Sequence, residues 1–194
     1  MKLNIIRFLS LWLLVIMAGC TSNMVSKKRV ESSFPASSRI AILPFENLSG
    51  KEKAGEKITE YFQAIMTIED KFIMTEYGST HNILRQFRIR SSTMLTDAQI
   101  DTLSSKLAID FIFTGSILEF DEYDNNYLGK IPQVSFNCRL IDCKTKKSVW
   151  VAVFNNSGDN GELIFGIGAV RSADGLARRM VNIAVDQVSS LFKK

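Results

Sequence analysis

Ala108–Leu118 reads AIDFIFTGSIL, and the reading of this stretch decides the fold. It is nearly all apolar, rich in Ile and Phe, and does not alternate. A strand with one wet face shows a period of two, so an unbroken run of this length reads as a central strand covered on both sides. Just upstream, Thr96-Asp97-Ala98-Gln99 has capping-box spacing, the Thr hydroxyl reaching forward and the Gln amide reaching back. The helix it opens carries Ile100, Leu103 and Leu107. Further upstream, Ser79–Ile89 reads as a helix with Ile83, Leu84 and Phe87 on one side, and Phe72–Thr75 as a short strand. Lys53–Thr67 places Ile58, Phe62, Ile65 and Met66 at helical spacing. Arg39–Phe45, RIAILPF, is a strand buried on both faces and ended by Pro44.

Downstream, Pro132–Asp142 and Ser148–Phe154 form a hairpin around the polar turn Cys143-Lys144-Thr145-Lys146-Lys147. Alternation puts Val134, Phe136, Cys138 and Leu140 on one face. Ser172 caps a final helix, Ala173–Phe192, whose apolar stripe is Met180, Ile183, Ala184, Val188 and Leu191. The order β-α-β-α-α-β-β-β-α predicts an α/β (α+β) fold: a mixed β-sheet of about five to six strands with three to four packed helices. A single domain over residues 39–194 suits the length of 194 residues.

The start of the chain is of another kind. Lys2 and Arg7 precede Phe8–Ala18, FLSLWLLVIMA, a run broken only by Ser10. It is short of the ~20 apolar residues a spanning helix needs. A positive start, a short apolar stretch and small residues form an export signal. Met17-Ala18-Gly19-Cys20 resembles the lipobox of bacterial lipoproteins, with Met17 where Leu is usual. The resemblance implies a signal peptide over residues 1–19 and cleavage before Cys20. It also implies a thioether-linked diacylglycerol on Cys20 and usually an N-acyl chain such as palmitate. Two or more chains on one residue anchor stably. Thr21, in place of Asp, implies the outer membrane of a Gram-negative host, with the protein facing the periplasm. Residues 20–38 hold the lipidated N-terminus and a polar, Ser-rich, aperiodic stretch that reads as a flexible tether. It would reach on the order of 25 Å as a coil and about 60 Å fully stretched. Lys27, Lys28 and Arg29 there are either solvated linker residues or contacts for anionic head groups.

The formal charge is +4, and losing Lys2 and Arg7 with the leader brings it to +2. A nucleic-acid binder usually shows a strongly basic face, so nucleic acid is not an expected partner.

RIAILPFENLSG (residues 39–50), an amphipathic helix, KLAIDFIFTGSI (106–117) and RLIDCKTKKSVW (139–150) together form a known pattern. It resembles the family containing the curli secretion lipoprotein CsgG, the peptidoglycan-synthase activator LpoB and the N-terminal domain of TolB. The similarity spans roughly residues 39–192. Ile40, Ile42 and Pro44 match the end of the family's first strand, and Asp110 and Gly115 its acid, apolar pair, glycine strand. Asp142 and Thr145 match its hairpin turn, with Lys146 where glycine is common. These are fold signatures rather than active-site motifs. CsgG inserts two β-hairpins per subunit into the outer membrane, and each spanning strand needs ~9–11 alternating residues. The corresponding stretches, Asp121–Ile131 and Ala152–Ser172, read as a polar loop and as sheet edge plus loop. A pore of that type is therefore not expected.

Candidate chemistry is sparse. Cys138 and Cys143 lie five residues apart, about 17 Å along one strand at ~3.3 Å per residue, too far for a disulfide. Cys138 is expected as a buried free thiol, and Cys143 as a turn thiol available to another chain. His81, the only histidine, has no nucleophile or second ligand beside it in sequence, so no catalytic residue, metal or cofactor is assigned. Gly166-Ile167-Gly168 lacks the third glycine and the acid of a dinucleotide site and reads as a bend. Arg85, Arg88 and Arg90, interleaved with Phe87 and Ile89, read as a solvated helix edge or as a patch met by the acids Glu119–Asp124 of a second copy. The function expected is a membrane-anchored, non-catalytic interaction module of an envelope complex, serving secretion, surface assembly or cell-wall synthesis, with a homo-oligomer among its expected states. The alternatives are an oligomeric CsgG-like secretion component, and a hydrolase or ligand-binding domain whose site forms only in three dimensions.

Overall fold

The long strand β6, Phe111–Asn125, organises the computed structural model, which describes residues 24–28, 33–125, 129–160 and 168–193. Phe111–Ile117 is buried throughout because both faces of β6 are covered. The other sheet strands are β1 (Met24–Lys28), β3 (Arg39–Ile42), β4 (Glu46–Asn47), β5 (Ile73–Met74), β7 (Gly129–Asp142) and β8 (Lys147–Ser157). They form one seven-stranded mixed sheet in the order β1-β8-β7-β6-β3-β5, with β4 also parallel to β6. A separate parallel pair joins β2, Phe34–Pro35, to β9, Phe192–Lys193.

Four helices pack on the sheet: α1 (Ala54–Ile68), α2 (Tyr77–Gln86), α3 (Asp97–Leu107) and α4 (Ala173–Ser189). Helices α1 and α4 cover one face, where Phe62 and Phe113 lie 4.8 Å apart and Phe136 stacks on Phe154 at 5.0 Å. Helices α2 and α3 cover β3 and β6 from the other side, burying Ala41, Leu43, Leu84, Leu103 and Ile112. The box at Thr96 and Gln99 is formed as expected, and Ser172 Oγ accepts the Gly175 amide at 3.2 Å. The mixed α/β fold is the expected one, with β1 and β4 carrying the sheet beyond six strands.

Three stretches differ from expectation. The tether contains ordered strands: β1 pairs antiparallel with β8, Met24 opposite Phe154 and Lys28 opposite Trp150, and β2 pairs with β9. Phe34 is the reason for the second pairing. Its ring meets Phe111 at 4.7 Å and Phe192 at 5.7 Å, while Phe192 meets Phe72 at 5.2 Å. Phe192 therefore belongs to β9, and α4 ends at Ser189. Asp121–Asn125 and Gly129–Ile131 are strand rather than loop. The β6–β7 ladder runs on to Asn125 opposite Gly129, past the end of β8, whose last pair is Gln133 with Ser157. Pro132 is tolerated in β7 because it lies beyond that last pair, where β7 has no β8 neighbour to bond.

Candidate interaction surface

The face of β8 away from α1 and α4 is open. Alternation sends Trp150, Ala152 and Phe154 into the core and leaves Val151 at 39% and Val153 at 42% exposure on the other side. A bulge between Ile117 and Glu119 turns Leu118 outward, 44% exposed. The 91–94 loop covers the β6 part of this face. Thr114 Oγ1 donates to Ser92 O at 2.9 Å, Ser92 Oγ donates to Pro44 O, Thr93 donates to Glu46, and Arg139 donates to Thr93 O. The loop spares the β8 side, so a strip of apolar and amide side chains, Val151, Val153 and Asn155, stays uncovered. These residues were legible in the alternation of Ser148–Phe154, whose second face the sequence reading left unassigned.

At the ribbon end, where β6 and β7 outrun β8, a cleft of about 400 Å³ is lined by Lys51, Lys57, Phe120, Asp121, Glu122, Lys130 and Asp174. Its charges are paired. Lys51 Nζ lies 2.7 Å from Asp121 and Lys57 Nζ 3.1 Å from Asp174. Tyr61 donates to Asp174 at 2.8 Å, and the Glu122 carboxylate accepts the Ala173 amide at 3.0 Å. The Lys51 hydrogen bond holds the Asp121 carboxyl below its ordinary range. Burial pushes the Asp174 carboxyl upward, but hydrogen bonds from Tyr61 and Lys57 outweigh it, and the net direction is down. Glu119 accepts from Tyr123 at 3.0 Å. Glu119, Asp121 and Glu122 therefore have partners within the chain, which answers the expectation that they wait for Arg85 and Arg88 of another copy.

At the opposite end, a second cavity of about 680 Å³ opens between β2, α3 and the β7–β8 turn, lined by Ser38, Asp101, Asp110, Cys143 and Lys146 among others. Cys143 was expected as an accessible turn thiol. It is instead 5% exposed, packed among Leu103, Ile109 and Ile141. Burial pushes its thiol up to about 12, so it offers no thiolate nucleophile at neutral pH. Cys138 is buried and also free, as expected.

The remaining candidates do not converge. His81 is exposed on α2, its ring 6.3 Å from that of Tyr77. Arg85, Arg88 and Arg90 are exposed, while Ile89 is 8% exposed and belongs to the core. Gly168 has φ 89, as a bend requires; Gly166 and Ile167 lie outside the described residues, as does Cys20. Among the described residues no three His, Cys, Asp or Glu side chains are grouped to hold a metal ion, and no helix is long and apolar enough to cross a membrane. What the described residues offer is exposed strand surface on β8 and two clefts at opposite ends of the sheet.

No protein-family model matches the sequence, and no curated protein matches it. Solved structures do. The chain is similar to PelC from Paraburkholderia phytofirmans, solved as a dodecamer, with a TM-score of 0.56 at 13% identity over 90% of this chain and 99% of that one. It is similar to lipoprotein GNA1162 from Neisseria meningitidis, with a TM-score of 0.52 at 16% identity over 79% and 99%. The LpoB C-terminal domain from Escherichia coli matches at a TM-score of 0.48 and 11% identity over 63% and 84%. The fold is thus shared with PelC and with lipoprotein GNA1162.

Proposed function

We propose that this chain is an acylated envelope lipoprotein, anchored through Cys20 in the outer membrane and facing the periplasm, that acts without catalysis as a docking and assembly module. The observation that carries the reading is the uncovered strip on β8, where Val151 and Val153 stand exposed with no helix over them, with Leu118 of β6 exposed as well. Contiguous apolar positions on an otherwise polar face mark interaction sites. The fold shared with PelC, itself a dodecamer, and with lipoprotein GNA1162 supports both the envelope setting and self-association. The lipobox-like Met17–Cys20 supplies the anchor.

A pore of the CsgG type has less support. The ribbon runs past β8 by only four residues on each strand, and those on β6 begin Glu122-Tyr123. A lipid-spanning strand needs ~9–11 residues with an apolar outer band.

Two measurements test the reading. Mass spectrometry of the chain from a Gram-negative host should find Cys20 as the N-terminus with diacylglycerol and an acyl chain; a different start or a bare thiol overturns the anchor. Crosslinking in intact envelopes should capture a defined multimer or partner that the double change Val151→Asp and Val153→Asp abolishes with the melting temperature kept. Unchanged crosslinking in that variant overturns the role of the strip.

A further inference from the structure

We infer that the free end of the β6–β7 ribbon is the surface this domain lays against lipid, an inference that rests on the Cys20 anchor proposed above. The argument is one of chain length and register. Strand β1 runs antiparallel to β8 with Met24 opposite Phe154, so the chain before Met24 leaves toward the ribbon end of the sheet. Only Thr21, Ser22 and Asn23 separate Met24 from Cys20. Fully extended, four residue steps reach at most ~14 Å. The ribbon end stands farther out. From Phe154 to Ser157 is three residues, Ser157 pairs with Gln133, and β7 continues four residues more to Gly129. Seven residues at ~3.4 Å come to about 24 Å.

The ribbon therefore outreaches the acylated residue by about 10 Å, somewhat more than the ~5–8 Å of one head-group layer. A leaflet that holds the acyl chains of Cys20 meets the ribbon before any other strand of the domain. The opposite end cannot take this place. The β7–β8 turn at Cys143–Lys146 lies seven residues or more from Phe154 in the other direction, about 24 Å, beyond the 14 Å the anchor allows.

The described residues at the ribbon end suit an interface between water and lipid. Tyr123 is 49% exposed, and Lys130 carries its ammonium at the surface, 63% exposed and 3.6 Å from Glu122. Tyrosine and lysine are the side chains that sit at head-group depth, an apolar body inward and a polar tip in water. Among the described residues at this end, Lys51 pairs with Asp121, Lys57 with Asp174 and Lys130 with Glu122, so the contact they make is positional rather than a strong electrostatic attraction.

The test uses the full acylated chain in phosphatidylcholine–phosphatidylglycerol vesicles that carry a nitroxide on the head group. A fluorophore is placed at Lys130→Cys or, separately, at Lys144→Cys in the turn; Cys138 and Cys143 are buried and stay unlabelled. The expected result is quenching at position 130 several-fold stronger than at position 144. It should fall to the level of position 144 when ten Gly/Ser residues are inserted between Asn23 and Met24. Equal or stronger quenching at position 144, or quenching that survives the insertion, overturns the orientation while leaving the anchor intact. Failure of the unmodified chain to float with the vesicles overturns the anchor and the orientation together.

Discussion

Two helical glycines, Gly55 and Gly78, should respond to alanine with opposite signs. Helix propensity alone says that Gly→Ala stabilises a helix by ~0.5–1 kcal/mol at either position. Space decides otherwise at Gly55. A Cβ there would stand 2.7 Å from Phe45 O, closer than real Cβ atoms come, and a tight 3.2 Å from Asn47 Cβ. The obstacle is a backbone carbonyl, so α1 itself must retreat by about half an ångström. That movement pulls on Thr59, whose Oγ1 donates to Gly55 O at 2.7 Å and accepts the Phe45 amide at 2.9 Å in a buried setting. Overpacking costs about 1–3 kcal/mol and a buried hydrogen bond left unmade a similar amount. Gly55→Ala should therefore destabilise by about 1–2 kcal/mol net, a fall in Tm of roughly 2–8 °C for a chain of this size. At Gly78 the nearest atom to a built Cβ is Glu76 Oε1 at 4.0 Å. Gly78→Ala should raise Tm by about 1–4 °C. Thermal melts followed by circular dichroism and by Trp150 fluorescence, a ring 3% exposed in the core, measure both. A Gly55→Ala protein that melts at or above the parent refutes the close approach of α1 to Phe45.

Phe62, fully buried and touching the rings of Phe45, Phe113 and Phe136, should lose about 3–5 kcal/mol on change to Ala, read as a lower denaturation midpoint at unchanged slope. Cys138 and Cys143 should resist a thiol reagent at pH 8 until the protein is unfolded, when two thiols react. Because burial raises the Cys143 thiol from 9.0 to about 12, the folded state holds that proton more tightly than the unfolded one. The Cys143 contribution should thus be constant below pH 9 and decline above it, a limb that Cys143→Ser shortens. Asp174 is held below its ordinary 3.8, so its contribution exists above that pH and is lost as the pH falls through the folded value. With the carboxylate 45% exposed, Asp174→Asn should cost under ~1 kcal/mol at pH 7, less than ~4 °C in Tm, and progressively less as the pH falls through the folded value.

The central strand, the capping box and the last helix were readable because each depends on neighbours in sequence: an unbroken apolar run, a Thr–Gln spacing, a Ser before a periodic stripe. The strands that were missed depend on partners far away. β1 carries Ser26, Lys27 and Lys28 and shows no alternation; its place comes from an open edge on β8, and no local pattern announces that edge. Phe34 was visible as a lone aromatic in a polar stretch, but its meaning lies in Phe111 and Phe192, reached only by the return of the chain. The Asp121–Ile131 ribbon hid behind its polarity, since a strand with both faces wet lacks the apolar signal that marks strands. The burial of Cys143 followed the same logic: turn residues read as exposed, and the packing of α3 over this turn is tertiary.

The pairing of position 24 with position 154 also sets an order of events during biogenesis. A chain that crosses a membrane unfolded, leading end first, presents Met24 long before Phe154 exists to receive it. At 5–20 residues per second, synthesis of the intervening stretch takes about 6–26 s. Throughout that interval the residues beside Cys20 remain unpaired and open to the enzymes that would acylate the thiol and cut the leader. Closure of that sheet edge then waits on the far end of β8, and a chain released early would expose a bare β8 to its neighbours.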